Sequence, residues 1–156
     1  MLRTLFTIAC ATVLLALPLQ ADDKSAKDMP PAIEGYWAVT EASAGGTKVE
    51  LPHSWTFKTN GKANLVDRKE GKQSLFRFKL DDSVTPHRIE LVYLGPDDRL
   101  KSLRQIGIWK LDGDNLTMLL QEPMREKEAK NDKYPTDIEK PGEKDMLMVL
   151  EKQKLE

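Results

Sequence analysis

The sequence predicts an all-β fold, a single antiparallel up-and-down β-barrel of about eight strands. Three observations carry that reading. Apolar residues recur at every second position, the spacing that places alternate side chains on one face of a strand. Clusters of Gly, Asn, Asp and Pro interrupt these runs, mostly at hairpin distance. The one stretch of helix-forming composition, 124–132, has no apolar stripe. Strands joined by short links pair with their neighbours, and closing such a meander removes its exposed edges.

The elements follow in chain order. Residues 1–21 read as a secretory signal peptide. Arg3 precedes an apolar run containing Phe6, Ile8, Val13, Leu14, Leu15 and Leu17, Pro18 ends it, and Ala21 offers a small residue for cleavage. The run is about 16 residues, short of the roughly 20 a membrane span needs. Cys10 sits too early, with apolar residues after it, for a lipid-attachment site. Residues 22–32 are a polar tether ending in Pro30-Pro31, and 33–153 form the barrel domain.

Tyr36 to Ala42 is the first strand, and Ser43 to Gly46 breaks it. Ser54 to Lys58 puts Trp55 and Phe57 on one face, and Asn60-Gly61 turns the chain into Lys62 to Val66. Leu75 to Leu80 alternates cleanly, with Phe76, Phe78 and Leu80 opposite Arg77 and Lys79. His87 to Leu94 groups Ile89, Leu91 and Tyr93. Ile106 to Leu111 and Leu116 to Leu120 flank Asp112-Gly113-Asp114-Asn115, so Leu111 faces Leu116 across a turn. Counting by twos puts Trp109, Leu111, Leu116, Met118 and Leu120 on one face, and Ile106, Ile108 and Leu119 on the other. Tyr134 to Ile138 is expected to add a brief strand, and Met146 to Leu150 is the last.

The order of these motifs resembles a domain family abundant in secreted planctomycete proteins. That family recurs as G-x-W-x-V, then P-x-x-I-D-L, then G-I-Y-x-L-D-G-D-x-L, then R-P-x-x-F, and a closing aliphatic strand. Here the matching stretches are GYWAV from Gly35, PHRIEL from Pro86, GIWKLDGDNL from Gly107, YPTDI from Tyr134 and MLMVL from Met146. The resemblance spans roughly 33–153 and implies a lipocalin-like β-barrel with no established activity. This chain departs at Trp109, at Tyr134 where the family has Arg, and at Ile138 where it has Phe. Whatever that Arg does elsewhere does not carry over to Tyr134. In such barrels the G-x-W Trp packs across the closed end, which makes Gly35 and Trp37 the structural plug. Lys152 is the candidate cation to cover Trp37.

The inward set is expected to be Trp37, Val39, Trp55, Phe57, Phe76, Phe78, Ile89, Leu91, Tyr93, Trp109, Leu116 and Met118. Eight strands either enclose one small ligand or are filled by their own side chains. If a small apolar ligand is held, the pocket candidates are Trp55, Phe57, Phe76, Phe78, Leu91, Tyr93, Trp109 and Met118. The alternative is a filled barrel that binds a protein partner through Ile106, Ile108 and Leu119. Ile108→Asp would then break association and leave a folded monomer.

Several classes find no support. The 24 basic residues face 25 acidic ones, and cleavage after Ala21 removes only Arg3. The charges are interleaved, so no basic stripe invites nucleic acid. Cys10 leaves with the signal, so the mature chain has no thiol for a disulfide, a metal or a nucleophile. His53 and His87 each follow a proline and have no partner at ligand spacing, so no metal and no cofactor is expected. Asp112 to Asn115 lacks the twelve-residue calcium-loop pattern and reads as a turn. Ser43, Ser54, Ser74, Ser83 and Ser102 lie outside any G-x-S-x-G elbow, and no phosphate-binding glycine loop occurs. No catalytic residue is assigned, and the reading is of a noncatalytic, secreted or periplasmic domain without a membrane span once the signal is removed.

Overall fold

A computed structural model describes residues 33–95, 103–125 and 133–154. The signal segment 1–21 and the tether 22–32 lie outside the described residues, as does most of 124–132. The strands are β1 (Gly35–Ala44), β2 (Thr47–Lys48), β3 (His53–Phe57), β4 (Lys62–Asp67), β5 (Gln73–Asp81), β6 (His87–Tyr93), β7 (Leu103–Asp112), β8 (Asn115–Leu120), β9 (Met124–Arg125) and β10 (Met146–Gln153). All pairings are antiparallel. The order β10-β8-β7-β6-β5-β4-β3-β1 closes on itself because β1 also pairs with β10, giving an eight-stranded barrel. The two-residue strands β2 and β9 are additions to β1 and β7.

The hairpins sit where turn chemistry places them. Gly61 takes φ of +70°, and the Asn60 side-chain oxygen accepts from the Lys62 amide at 3.2 Å. Leu111 pairs with Leu116 across the β7–β8 turn, so the register read from alternation holds. The Trp109–Met118 and Gly107–Leu120 pairs follow from it.

β1 departs from simple alternation. Its register against β10 slips between Val39 and Glu41, leaving Thr40 as the extra residue of a bulge. The Thr40 hydroxyl donates to the Val149 carbonyl at 3.1 Å. The extra residue shifts the inward parity, so Trp37 and Val39 share the interior with Ala42. The strand therefore continues through Ser43 and Ala44, and the break falls at Gly45-Gly46. A second difference lies at 134–138, which is bend and turn, with no strand. Pro135 supplies no amide hydrogen for a ladder there. Instead the Asp137 carboxylate accepts from the Glu139 amide at 3.0 Å, a local bond typical of turns.

The core is one cluster inside the barrel. Ile33, Trp37, Phe57, Ile89, Leu91, Leu116, Met118 and Leu150 are each no more than 1 % exposed. Five aromatic rings run through it in contact. Tyr93 meets Phe76 at 5.6 Å, Phe76 meets Trp55 at 5.3 Å, Trp55 stacks on Phe57 at 5.6 Å, and Phe57 meets Phe78 at 5.1 Å. Tilted, stacked and edge-on rings at these separations interact favourably beyond the area they bury.

The outer face of β6, β7 and β8 corrects an expectation. Ile106, Ile108 and Leu119 are all 0 % exposed, so they form no open patch for a partner. The polypeptide beyond β8 continues along β7. The Gln121 amide donates to the Ile106 carbonyl at 2.9 Å, and β9 pairs with the start of β7. Farther on, Tyr134 lies under the Arg88 guanidinium at 4.7 Å from the ring centroid, and Arg88 is the cross-strand neighbour of Ile108. Lys144 meets Glu122 at 3.0 Å, and the Asp145 carbonyl accepts from the Gly45 amide at 2.9 Å, tying the end of 133–145 to the residues just after β8 and to the β1–β2 turn.

The β4–β5 turn yields a pH prediction. The Glu70 and Lys69 amides donate to the Asp67 carboxylate and hold it below its ordinary 3.8. A carboxyl depressed on folding stabilises the fold above its unfolded pKa and ceases to do so as pH falls through the folded value. Wild type is therefore expected to exceed Asp67→Ala in stability at neutral pH by a margin that shrinks only below about 3.8. Urea unfolding of both proteins across acidic pH measures that margin; one that is constant with pH contradicts the assignment.

Candidate binding site at the barrel mouth

The two ends of the barrel differ because the links differ. At one end the connections are short: Lys58 to Gly61, Asp82 to Pro86, and Gly113-Asp114. Trp37 closes this end. It is 0 % exposed, and its indole N–H donates to the Ile33 carbonyl at 2.9 Å. Gly35 takes φ of +129°, a conformation L side chains rarely adopt. A Cβ there would also stand 3.3 Å from Lys152 Cε. Lys152 pairs across from Trp37 and carries its ammonium 5.5 Å from the ring centroid, as the resemblance implied. Trp109 belongs to this end too. Its indole donates to the Arg88 carbonyl at 3.1 Å, and its ring lies 5.0 Å from that of His87.

The opposite end receives the longer links and is the mouth. Here a cavity of about 170 Å³ is lined by Ser74, Phe76, Leu91, Tyr93, Leu103, Gln105 and Pro123. Strand parity accounts for its wall. Ser74 and Phe76 share a face of β5, Leu91 and Tyr93 of β6, and Leu103 and Gln105 of β7. Pro123 closes one side from the segment beyond β8. An apolar cavity of about 150 Å³ admits a benzene ring. The space is below the roughly 300 Å³ at which drug-sized pockets begin.

Three of the expected pocket residues, Phe76, Leu91 and Tyr93, line this cavity. The other five do not. Trp55, Phe57, Phe78, Trp109 and Met118 are at most 6 % exposed and pack against one another and the strands around them. Their size is the physical reason: large side chains on converging inward positions fill a barrel of this width. Ser74, Leu103, Gln105 and Pro123 were not foreseen. Extending the count by twos from Leu111 and Trp109 through Gly107 reaches Gln105 and Leu103, so the signal was present in the register.

The polar atoms of the mouth are few. Gln105 donates through Nε2 to the Gln121 carbonyl at 3.1 Å. On β3, beyond β4 from the cavity wall, His53 Nδ1 and Trp55 Nε1 are buried without a hydrogen-bond partner among the described residues. His53 stands across from Asp67. His87, at the other end, has its Nδ1 3.1 Å from the Val84 carbonyl. No cluster of three or more His, Cys, Asp or Glu that could hold a metal occurs among the described residues. A second hollow, also about 170 Å³, lies outside the barrel between β1, β2 and β10, lined by Glu41, Lys48, Leu147 and Val149 among others. No family model, curated protein or solved structure matches the chain.

Proposed function

We propose that the chain is an exported, noncatalytic binding domain that holds one small apolar molecule in the cavity at the barrel mouth. The observation that carries this reading is the cavity itself, walled by Phe76, Leu91, Tyr93, Leu103 and Pro123. Water gains little from a wall of that kind, and an apolar guest removes it from solvent. Below the cavity the described core side chains form one buried cluster, so guest binding needs no rearrangement of that core. The charged-then-apolar start of the chain, with Ala21 at its end, supports export to the periplasm or beyond. The GYW strand start and the GIWKLDGDNL hairpin support placing it beside the secreted lipocalin-like proteins it resembles.

The test is native mass spectrometry of protein purified gently from the periplasm, followed by organic extraction. The expected result is a chain beginning at Asp22 that releases one apolar molecule on denaturation. A clean apo mass that takes up neither toluene nor any component of a mixed metabolite pool overturns the reading. A companion substitution fixes the location. Leu103 is half-buried on the cavity wall, so Leu103→Trp grows into the space. It is expected to abolish toluene binding, followed by ligand-observed NMR, while the thermal midpoint stays near that of wild type.

A further inference from the structure

We infer that the guest of the mouth cavity is a neutral, single-ring molecule carrying a hydrogen-bond donor, and that the Gln105 side-chain carbonyl reads that donor. The inference rests on the proposed binding function and specifies its ligand. Its starting point is the orientation of one amide. The Gln121 carbonyl oxygen can only accept, so the Gln105 atom 3.1 Å from it is the NH₂ nitrogen. That bond fixes the amide and leaves Oε1 as an acceptor with no protein donor among the described residues. Gln105 is half-buried and forms part of the cavity wall.

The remaining wall narrows the chemistry. None of the seven described residues that line it is charged, so a charged guest would lose hydration without a counter-charge among them. The volume admits one ring and a few further heavy atoms. Phe76 and Tyr93 meet edge to face, at 72° and 5.6 Å, and offer an aromatic guest the same kind of contact. The Ser74 and Tyr93 hydroxyls rotate and serve as donor or acceptor, so neither discriminates. Oε1 only accepts, and therefore it sets the preference. A guest that lacks a donor leaves Oε1 desolvated and unpaired, which is the costly case. Phenols have the required combination of ring, neutrality and O–H.

p-Cresol and anisole are isomers that differ in whether the oxygen carries a proton, and toluene is the ring without the oxygen. Dissociation constants for all three are measured by NMR titration on wild type and on Gln105→Leu. Wild type is expected to bind p-cresol about fivefold more tightly than anisole, the size of one net hydrogen bond. In Gln105→Leu the ratio is expected to fall to about one, with toluene affinity retained. If the variant does not fold, the wild-type ratio of p-cresol to anisole still decides. Toluene binding with equal affinity for the two isomers overturns donor recognition and leaves the apolar pocket standing. No binding of any of the three overturns both.

Discussion

Trp37→Ala is expected to cost about 3–5 kcal/mol of folding stability, the range for removing a buried aromatic side chain. The indole is 0 % exposed and fills the narrow end of the barrel, where β1 crosses between β3 and β10. Its removal leaves a void bordered by Ile33 and by the facing Trp55, neither of which can slide along a paired strand to fill it. The Ile33 carbonyl also loses its donor, which is 2.9 Å away in the native protein. Lys152 then has no ring beneath its ammonium, and the 5.5 Å cation–π contact is lost. Trp37→Phe separates these terms. It keeps most of the apolar volume and gives up the N–H, so about 1–2 kcal/mol is expected, chiefly from the unpaired carbonyl. Urea unfolding of the three proteins measures both differences. An alanine variant within about 1 kcal/mol of wild type would mean that the closed end is held by something other than Trp37.

The contrast between the two barrel ends also explains which features were legible in the sequence. Strand identity and facing were readable from β5 to β8, because Phe76, Phe78, Leu80, Ile89, Leu91 and Tyr93 alternate with polar or outward residues without interruption. Register was readable where a short turn pins it, as at Leu111 and Leu116. β1 was only partly readable, since nothing in Thr40 marks it as a bulge. The site was less legible than the fold. Aromatic residues were the natural candidates for a pocket, yet Trp55, Phe57, Phe78 and Trp109 fill space and so leave none. The cavity survives at the mouth, where β5, β6 and β7 present Ser74, Tyr93 and Gln105 and where Pro123 comes from the link between β8 and β9. Volume depends on how side chains from distant strands meet, and periodicity contains no information about that.

Coverage of the outer face is the other feature periodicity could not supply, and it reverses an expected mutational outcome. Leu119→Asp is expected to unfold the protein or to cost at least about 4 kcal/mol, because it combines loss of a buried leucine with burial of a polar group. Leu119 is 0 % exposed, and its cross-strand neighbours are Ile108 and Leu147. Neither offers a hydrogen bond to a carboxyl. Ile108→Asp lies on the same face but opposite Arg88, whose guanidinium already sits over Tyr134. An aspartate there gains a nearby cation, so its cost is expected to be smaller than that at Leu119. Had the face been an open docking surface, both variants would keep wild-type stability and lose only association, since a solvated carboxylate on a strand is tolerated. Circular dichroism melts and sedimentation of the two variants distinguish these cases. A folded, stable Leu119→Asp monomer would show that this face opens in solution, and would return Ile106, Ile108 and Leu119 to candidacy as an interface. Unfolding at Leu119 with a milder loss at Ile108 makes the same three residues a second core layer.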